Sequence, residues 1–368
     1  MNLREVVLLG GSGDVGARLV PLLLKDPRVA VTVVSRHAEG ISDPLEGRVR
    51  HTALDLSNAE SLGAMAEAVV VNLTEATSPS LVGQVIGAGG WFLETSATPG
   101  YLRAVVEALD GADGTGNAIL CVGMAPGMTN LLAEQVTAKA AESAQIDIGV
   151  EMGMGRHYGA AATEWFLRTA GQSYPLVIDG SIQTVLPGQM KRKFAFSTGG
   201  PLRRSIGYGF AEQTMIAERS EHRLKTVRSF VALDPAWMTR SLAFALSLGL
   251  GPAIGRNARR LTKWLRRLPA FGPARTRIVV EGFDDAGRLT GQIRLETGDQ
   301  AEATAAIISA TVESVFERRE GHSPQVSTIA DHLNLDKAVE ALRRAIPDTR
   351  VDASGPTIAG QKTEIRTE

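Results

Sequence analysis

The chain has 368 residues, of which 44% are hydrophobic and 21% charged, and a formal net charge of −1. At about 150 residues per domain this length predicts two or three domains, and the balance of residue types is that of a folded protein with a sizeable core. The near-zero charge gives no support for nucleic-acid binding, which usually leaves a basic footprint, and the single cysteine, Cys121, excludes an intramolecular disulfide or a multi-cysteine zinc site.

Four apolar residues, Val6-Val7-Leu8-Leu9, read as a buried strand that runs straight into Gly10-Gly11-Ser12-Gly13-Asp14-Val15-Gly16. Glycines 11, 13 and 16 satisfy G-x-G-x-x-G after a strand and before an apolar helical stretch, the context in which that spacing cradles a dinucleotide. Gly11 permits the tight turn, Gly13 lets backbone N–H groups approach a pyrophosphate, and Gly16 lets the helix pack closely on the strand. The helix starting near Asp14 directs its positive end at the phosphates. The plain alternative is an ordinary strand-to-helix turn that binds nothing.

A second strand over 30–34 stops at Ser35-Arg36, where the adenosine ribose is read. A carboxylate here would repel a 2′-phosphate. Arg36 can instead pair with one, which favours NADP while leaving NAD open; stacking on adenine or simple solvation are the alternatives. A third strand over 49–54 ends at Asp55, readable either as an adenine contact or as the N-cap of a helix over 57–68. Strands over 68–74, 91–96 and 118–122 alternate with helices over 81–88 and 101–109, the grammar of a doubly wound parallel sheet, the Rossmann arrangement. Leu73, Thr74 and Ser96 then fall at C-terminal strand ends, where ligands gather, and complete the expected cofactor set. Cys121 lies in the apolar run 118–122 and reads as a buried structural thiol.

Beyond 123 the pattern changes. A turn over 123–130 leads into a helix over 131–142. Strands are expected over 146–152, 176–187, 191–197, 223–233 and 276–297, with helices near 160–171 and 236–249. This predicts a second, α+β domain with a mixed sheet. The expected division is 1–125 plus 300–348 for the nucleotide domain, 126–299 for the second domain, and a polar tail over 349–368. A helix over 300–318 carries Ala305, Ile308, Val312 and Val315 on one face and is expected to pack back on the first domain.

No tyrosine is followed four residues later by lysine, no Gly-x-Ser-x-Gly elbow follows a strand, and the six histidines lack metal-ligand spacing, so no metal is expected. The richest remaining cluster is Gly153-Met154-Gly155-Arg156-His157-Tyr158-Gly159, followed by Glu164-Trp165. His157 is the candidate general acid or base and Arg156 a carboxylate clamp. Against this stands the common case of a loop histidine that is structural or solvated.

The glycine turn, Ser35-Arg36, Asp55, Glu94-Thr95-Ser96 and Gly123-Met124-Ala125-Pro126-Gly127-Met128-Thr129-Asn130 together resemble the saccharopine dehydrogenase (saccharopine reductase-like) family. The segments 153–165 and 304–306 fit the same pattern. The resemblance implies a Rossmann domain binding NAD(P), a substrate domain inserted before its final helices, homodimers, and hydride transfer at a C–N bond of an amino acid or amine. It points to Met124, Pro126, Gly127, Asn130, Arg156, His157 and Trp165 as the substrate side. Ala125 stands where many members carry Asp, as in the lysine 6-dehydrogenase branch, so no role of that carboxylate transfers and saccharopine itself is disfavoured. A carbonyl or enoyl substrate, or nucleotide binding without turnover, are the alternatives.

The basic run Arg256, Arg259, Arg260, Lys263, Arg266 and Arg267 surrounds Leu261, Trp264, Leu265 and Leu268 at helical spacing. A helix packed on its own domain with a solvated basic face is expected there, rather than one lying on an anionic membrane. No signal peptide and no spanning stretch are read, and a cytoplasmic enzyme is expected.

Overall fold

The computed structural model describes residues 3–36, 47–155, 159–221, 223–270, 272–317 and 326–354. The chain divides into two compact units, Met1–Met128 with Ala301–Ala345, and Thr129–Gln300 with Ile346–Glu368.

The first unit begins with β1 (Arg4–Leu9), α1 (Asp14–Leu23), β2 (Val29–Ser35), β3 (Val49–Ala53), β4 (Val69–Asn72), α2 (Ser80–Gly87), β5 (Trp91–Glu94), α3 (Pro99–Asp110) and β6 (Asn117–Leu120). In the second unit follow α4 (Met128–Lys139), β7 (Gln145–Gly153), α5 (Ala160–Thr169), β8 (Tyr174–Ile178), β9 (Ser181–Val185), β10 (Lys191–Ala195), β11 (Leu202–Gly207), α6 (Glu212–Arg219), β12 (Thr226–Asp234), α7 (Ala236–Ser247), α8 (Gly251–Arg256), α9 (Ala258–Leu265), β13 (Thr276–Phe283) and β14 (Leu289–Thr297). The chain returns to the first unit with α10 (Gln300–Glu317), β15 (Val326–Thr328) and α11 (Leu335–Ala345), and β16 (Arg350–Ser354) closes the second.

The first sheet is parallel throughout, in the order β3-β2-β1-β4-β5-β6-β15. The order reverses between β1 and β4, and that switch point opens a crevice at the C-terminal strand ends. The apolar runs of β1, β2 and β4 are buried on both faces, as a covered parallel sheet requires. Leu19, Val20 and Leu23 of α1 share one core cluster with Val6, Leu8, Val31, Val33 and Val71 of the strands and with Ala305, Ile308, Val312 and Val315 of α10. The late helix therefore does cover the early sheet.

The second sheet is mixed, following β10-β11-β12-β7-β13-β14-β16, with the β8–β9 hairpin attached to β12. The two ends of that path meet, because Arg294 on β14 donates to the Ala195 carbonyl at the end of β10 at 2.8 Å and Thr198 bonds Asp352 of β16. Inside the curl Phe194, Phe196, Phe230, Ala232 and Val279 form a cluster. Beside it Asp147, fully buried, takes two bonds of 2.7 Å from Arg228 and an ion pair from Arg192, which also reaches Glu281 at 2.5 Å.

Three expectations are corrected. The helix over 57–68 is a turn followed by a short 3-10 helix over Gly63–Glu67. Asp55 draws the Ser57 N–H and hydroxyl and the Asn58 amide onto its carboxylate, and Gly63, at φ +56°, stops a helix passing through. The strand over 176–187 is a hairpin, since Asp179 and Gly180 both have positive φ, the turn that Asp-Gly favours between strands. The tail from 349 contributes β16, which pairs antiparallel with β14; polar sequence suits an edge strand with one face in water. In addition, β11 and α6 arise where the sequence showed no clear period.

Candidate functional site

The glycine turn is built by mutual obstruction. Gly10, at φ +77°, sits where a Cβ would lie 2.8 Å from the Thr74 methyl. A Cβ on Gly11 would stand 2.7 Å from that of Leu8, and one on Gly16 would overlap the Gly11 carbonyl. Gly13 is the contrast. The position of its missing side chain meets only the Gly10 carbonyl, at 3.4 Å, and the residue is exposed. The protein leaves open the space a pyrophosphate needs at the one glycine assigned to that approach.

Gly13 is also the N-cap of α1 and offers no side chain to the helix's first N–H groups. These donors, with the helix dipole behind them, suit an anion. Ser12 is exposed beside them, Val15 packs against the core, and Asp14 in the first turn is paired with Arg18. Across the switch point Leu73 and Thr74 continue from β4, with the Leu73 N–H bonded to the Leu9 carbonyl at 2.9 Å. That bond fixes the two sides of the crevice against each other.

Ser35 is buried at the end of β2, and Arg36 follows it into solvent. Asp55 stands near Arg36. Hydrogen bonds from Ser57, and further out the Arg36 charge, hold its carboxyl below the usual range. The turn-capping reading of Asp55 is thus realised by Ser57 and Asn58.

At the ends of β4 and β5 lies a buried polar cluster. The Asn72 amide nitrogen donates to Glu94 Oε2 at 2.8 Å and to the Tyr101 hydroxyl at 3.0 Å, and its oxygen accepts from Thr77 at 2.7 Å. Tyr101 donates onward to the Thr77 carbonyl at 2.8 Å, and the Ser96 N–H donates to Glu94 Oε1 at 2.7 Å. Burial pushes the Glu94 carboxyl up to about 7, with the bonds from Ser96 and Asn72 only partly opposing it, and burial likewise pushes the Tyr101 hydroxyl up. The cluster fastens the loops after β4 and β5 to one another and holds Ser96 and Thr74 in place. Sequence reasoning passed over it, although Val-Val-Val-Asn and Trp-Phe-Leu-Glu each set a polar residue at the end of an apolar strand.

The turn after β6 belongs to the first unit up to Met128. Gly127, at φ +133°, lies against Gly123, whose carbonyl accepts the Met128 N–H at 2.8 Å, and Met124 and Pro126 are buried within the turn. Asn130 is buried on α4 of the second unit. Trp165, on α5, rests against Phe210 at 5.6 Å and Tyr208 at 6.3 Å between ring centres, a packing role in an aromatic cluster. Arg156 and His157 lie outside the described residues. Among the described residues no group of three His, Cys, Asp or Glu could hold a metal ion, and no helix is long and apolar enough to cross a membrane.

A parallel sheet in this order, with an interlocked glycine turn and a basic residue at the ribose position, defines a dinucleotide-binding α/β protein of the dehydrogenase type. Residues 6–110 match the family model of the saccharopine dehydrogenase NADP binding domain. NADP is accordingly its cofactor. No curated protein sequence matches the chain. Among solved structures, the fold is similar to that of apo saccharopine dehydrogenase (L-Glu forming) from Saccharomyces cerevisiae, at 14% identity over 96% of this chain and 100% of that one, with a TM-score of 0.60. Looser matches include an engineered D-amino acid dehydrogenase, at 13% identity, 90% and 95% coverage and TM-score 0.45, and the DAP dehydrogenase of C. glutamicum, at 13% identity, 92% and 99% coverage and TM-score 0.44.

Proposed function

We propose that the protein is an NADP-preferring oxidoreductase acting on a C–N bond of an amino acid or amine. The reading rests on one observation above the rest: the segment that matches a saccharopine dehydrogenase NADP binding domain carries a glycine turn whose only unobstructed glycine is the one that would face the pyrophosphate. When bound, the nicotinamide supplies the hydride chemistry. The chain's own part is to seat the phosphates on α1, to read the ribose with Arg36, and to hold the loops after β4 and β5 through the Asn72–Glu94–Tyr101 cluster. His157 and Arg156 are the proposed acid/base and carboxylate clamp, and a homodimer is the proposed assembly.

The test is a titration of the purified full chain with NADPH and NADH, followed by nicotinamide absorbance with pools of amino acids, and of keto acids with amines. NADP-linked turnover on the amino-acid or imine pools is the expected result. Turnover confined to a carbonyl or enoyl panel would move the substrate class, and tight NADPH binding with no turnover on any pool would make the protein a nucleotide-binding regulator.

A further inference from the structure

The stretch from Pro235 to Arg275 contains no Asp or Glu and eight cations, Arg240, Arg256, Arg259, Arg260, Lys263, Arg266, Arg267 and Arg275, the last of which is paired with Asp234 and Glu296 outside it. The helices α7, α8 and α9 fall within it. On α7 the residues turned inward are Thr239 and Ala243. The opposite face carries Trp237, Ser241, Phe244 and Leu248, spaced four, three and four residues apart, so that they form one stripe along the helix. Trp237, Phe244 and Leu248 are 54%, 66% and 59% exposed, and Leu250 just beyond is 46% exposed.

The pattern recurs on α9. Ala258 and Thr262 are buried, and Leu261 and Leu265 are half-buried, so the helix does pack on its own unit as the sequence suggested. Trp264 is nevertheless 56% exposed, with Arg260 one turn before it and Arg267 one turn after. Single exposed apolar residues are ordinary on protein surfaces. Five large ones in one acid-free run, two of them tryptophan, exceed that ordinary scatter.

The charge selects the occupant. An isologous contact with a second copy would set these cations against their own images, with no carboxylate in the stretch to answer them. Duplex nucleic acid would use the cations and leave the α7 stripe in water. An anionic lipid surface takes both, with the apolar stripe and tryptophans at the headgroup boundary and the Arg and Lys side chains against lipid phosphates. We propose that α7 and α9 dock the protein peripherally on an anionic bilayer. The proposal is independent of the substrate assigned above.

The experiment is flotation of the full chain with phosphatidylcholine vesicles and with vesicles that also contain phosphatidylglycerol. The protein floats with the anionic vesicles only, and salt releases it. Each cation near such a surface contributes about fivefold to partitioning, so the triple variant Arg259→Glu, Arg260→Glu, Lys263→Glu loses binding by on the order of a hundredfold or more. The triple variant Trp237→Ala, Phe244→Ala, Leu248→Ala loses at least about tenfold from missing apolar burial. Both change exposed side chains, and unchanged circular dichroism and Tm show that the loss is not unfolding. Failure of the folded wild-type chain to float with anionic vesicles overturns the proposal. So does a dimer, seen by sedimentation without flotation, that the apolar triple variant dissociates. Retention on duplex DNA, without flotation and unaffected by the apolar variant, likewise overturns it in favour of a plain polyanion site.

Discussion

Asn72 and Glu94 terminate neighbouring strands, and the 2.8 Å bond between their side chains lies wholly out of water. Burial raises the Glu94 carboxyl from its ordinary 4.5 to about 7, and does the same to Glu212 in the second unit. Between those values the folded chain keeps a proton that the unfolded chain has released. Stability therefore falls as pH rises through this window and levels off above it. Each group accounts for about 3 kcal/mol across the window. Glu94→Gln, which mimics the protonated form, should roughly halve the combined loss between pH 5 and 8 in urea melts. An unchanged pH slope would remove Glu94 as a source.

The two glycines of the turn should separate stability from binding. Gly16→Ala forces a methyl group into the Gly11 carbonyl and should lower Tm as well as NADPH affinity. Gly13→Ala has room in the protein, so it should leave stability within about 1 kcal/mol of wild type while weakening NADPH by tenfold or more. Paired thermal melts and fluorescence titrations check this, and equal behaviour of the two variants would contradict it.

Arg36 should decide between the cofactors. Its guanidinium is exposed beside the ribose position, and a charge-assisted bond to a 2′-phosphate contributes about 1.5–3 kcal/mol. Arg36→Ala should weaken NADPH roughly 10- to 100-fold and leave NADH affinity almost unchanged. Parallel loss of both would assign Arg36 to adenine stacking.

In the second unit, Asp147 neutralises Arg192 and Arg228 beneath the sheet. Asp147→Ala strands the buried Arg228 guanidinium and leaves Arg192 to Glu281 alone, and should cost about 3–5 kcal/mol in urea unfolding. Asp285 pairs with Lys225 at the surface, and Asp285→Ala should leave the urea midpoint almost unchanged. Comparable losses for the two would show that the buried network is not the stronger element.

The nucleotide domain was legible because its signals are local. Apolar runs of four residues, a glycine turn and alternating helices each speak within about ten positions of sequence, and the parallel order follows from them. The second domain was less legible because its strands pair across long separations, as β7 with β13 and β14 with β16. The Asp179-Gly180 turn was readable and was overrun by the apolar residues on either side. The Asn72–Glu94–Tyr101 cluster was not readable, since three residues 7 to 29 positions apart meet only once the sheet has formed. The outward stripe of α7 was hidden for the opposite reason: its spacing is that of a core-facing helix, and only the fold says which side is out.

The first unit is assembled from both ends of the chain, with Ala305, Ile308, Val312 and Val315 of α10 closing a core begun by Val6 and Leu8. During synthesis the nucleotide-binding sheet must wait, one apolar side covered by α1 without α10, while more than 170 intervening residues leave the ribosome. A fragment ending at Met128 would leave that side permanently without α10 and should aggregate, whereas co-expression with a fragment carrying 301–345 should rescue it. Cofactor capture is thus a late event in the life of the nascent chain, and the second unit has emerged before the first is able to hold its nucleotide.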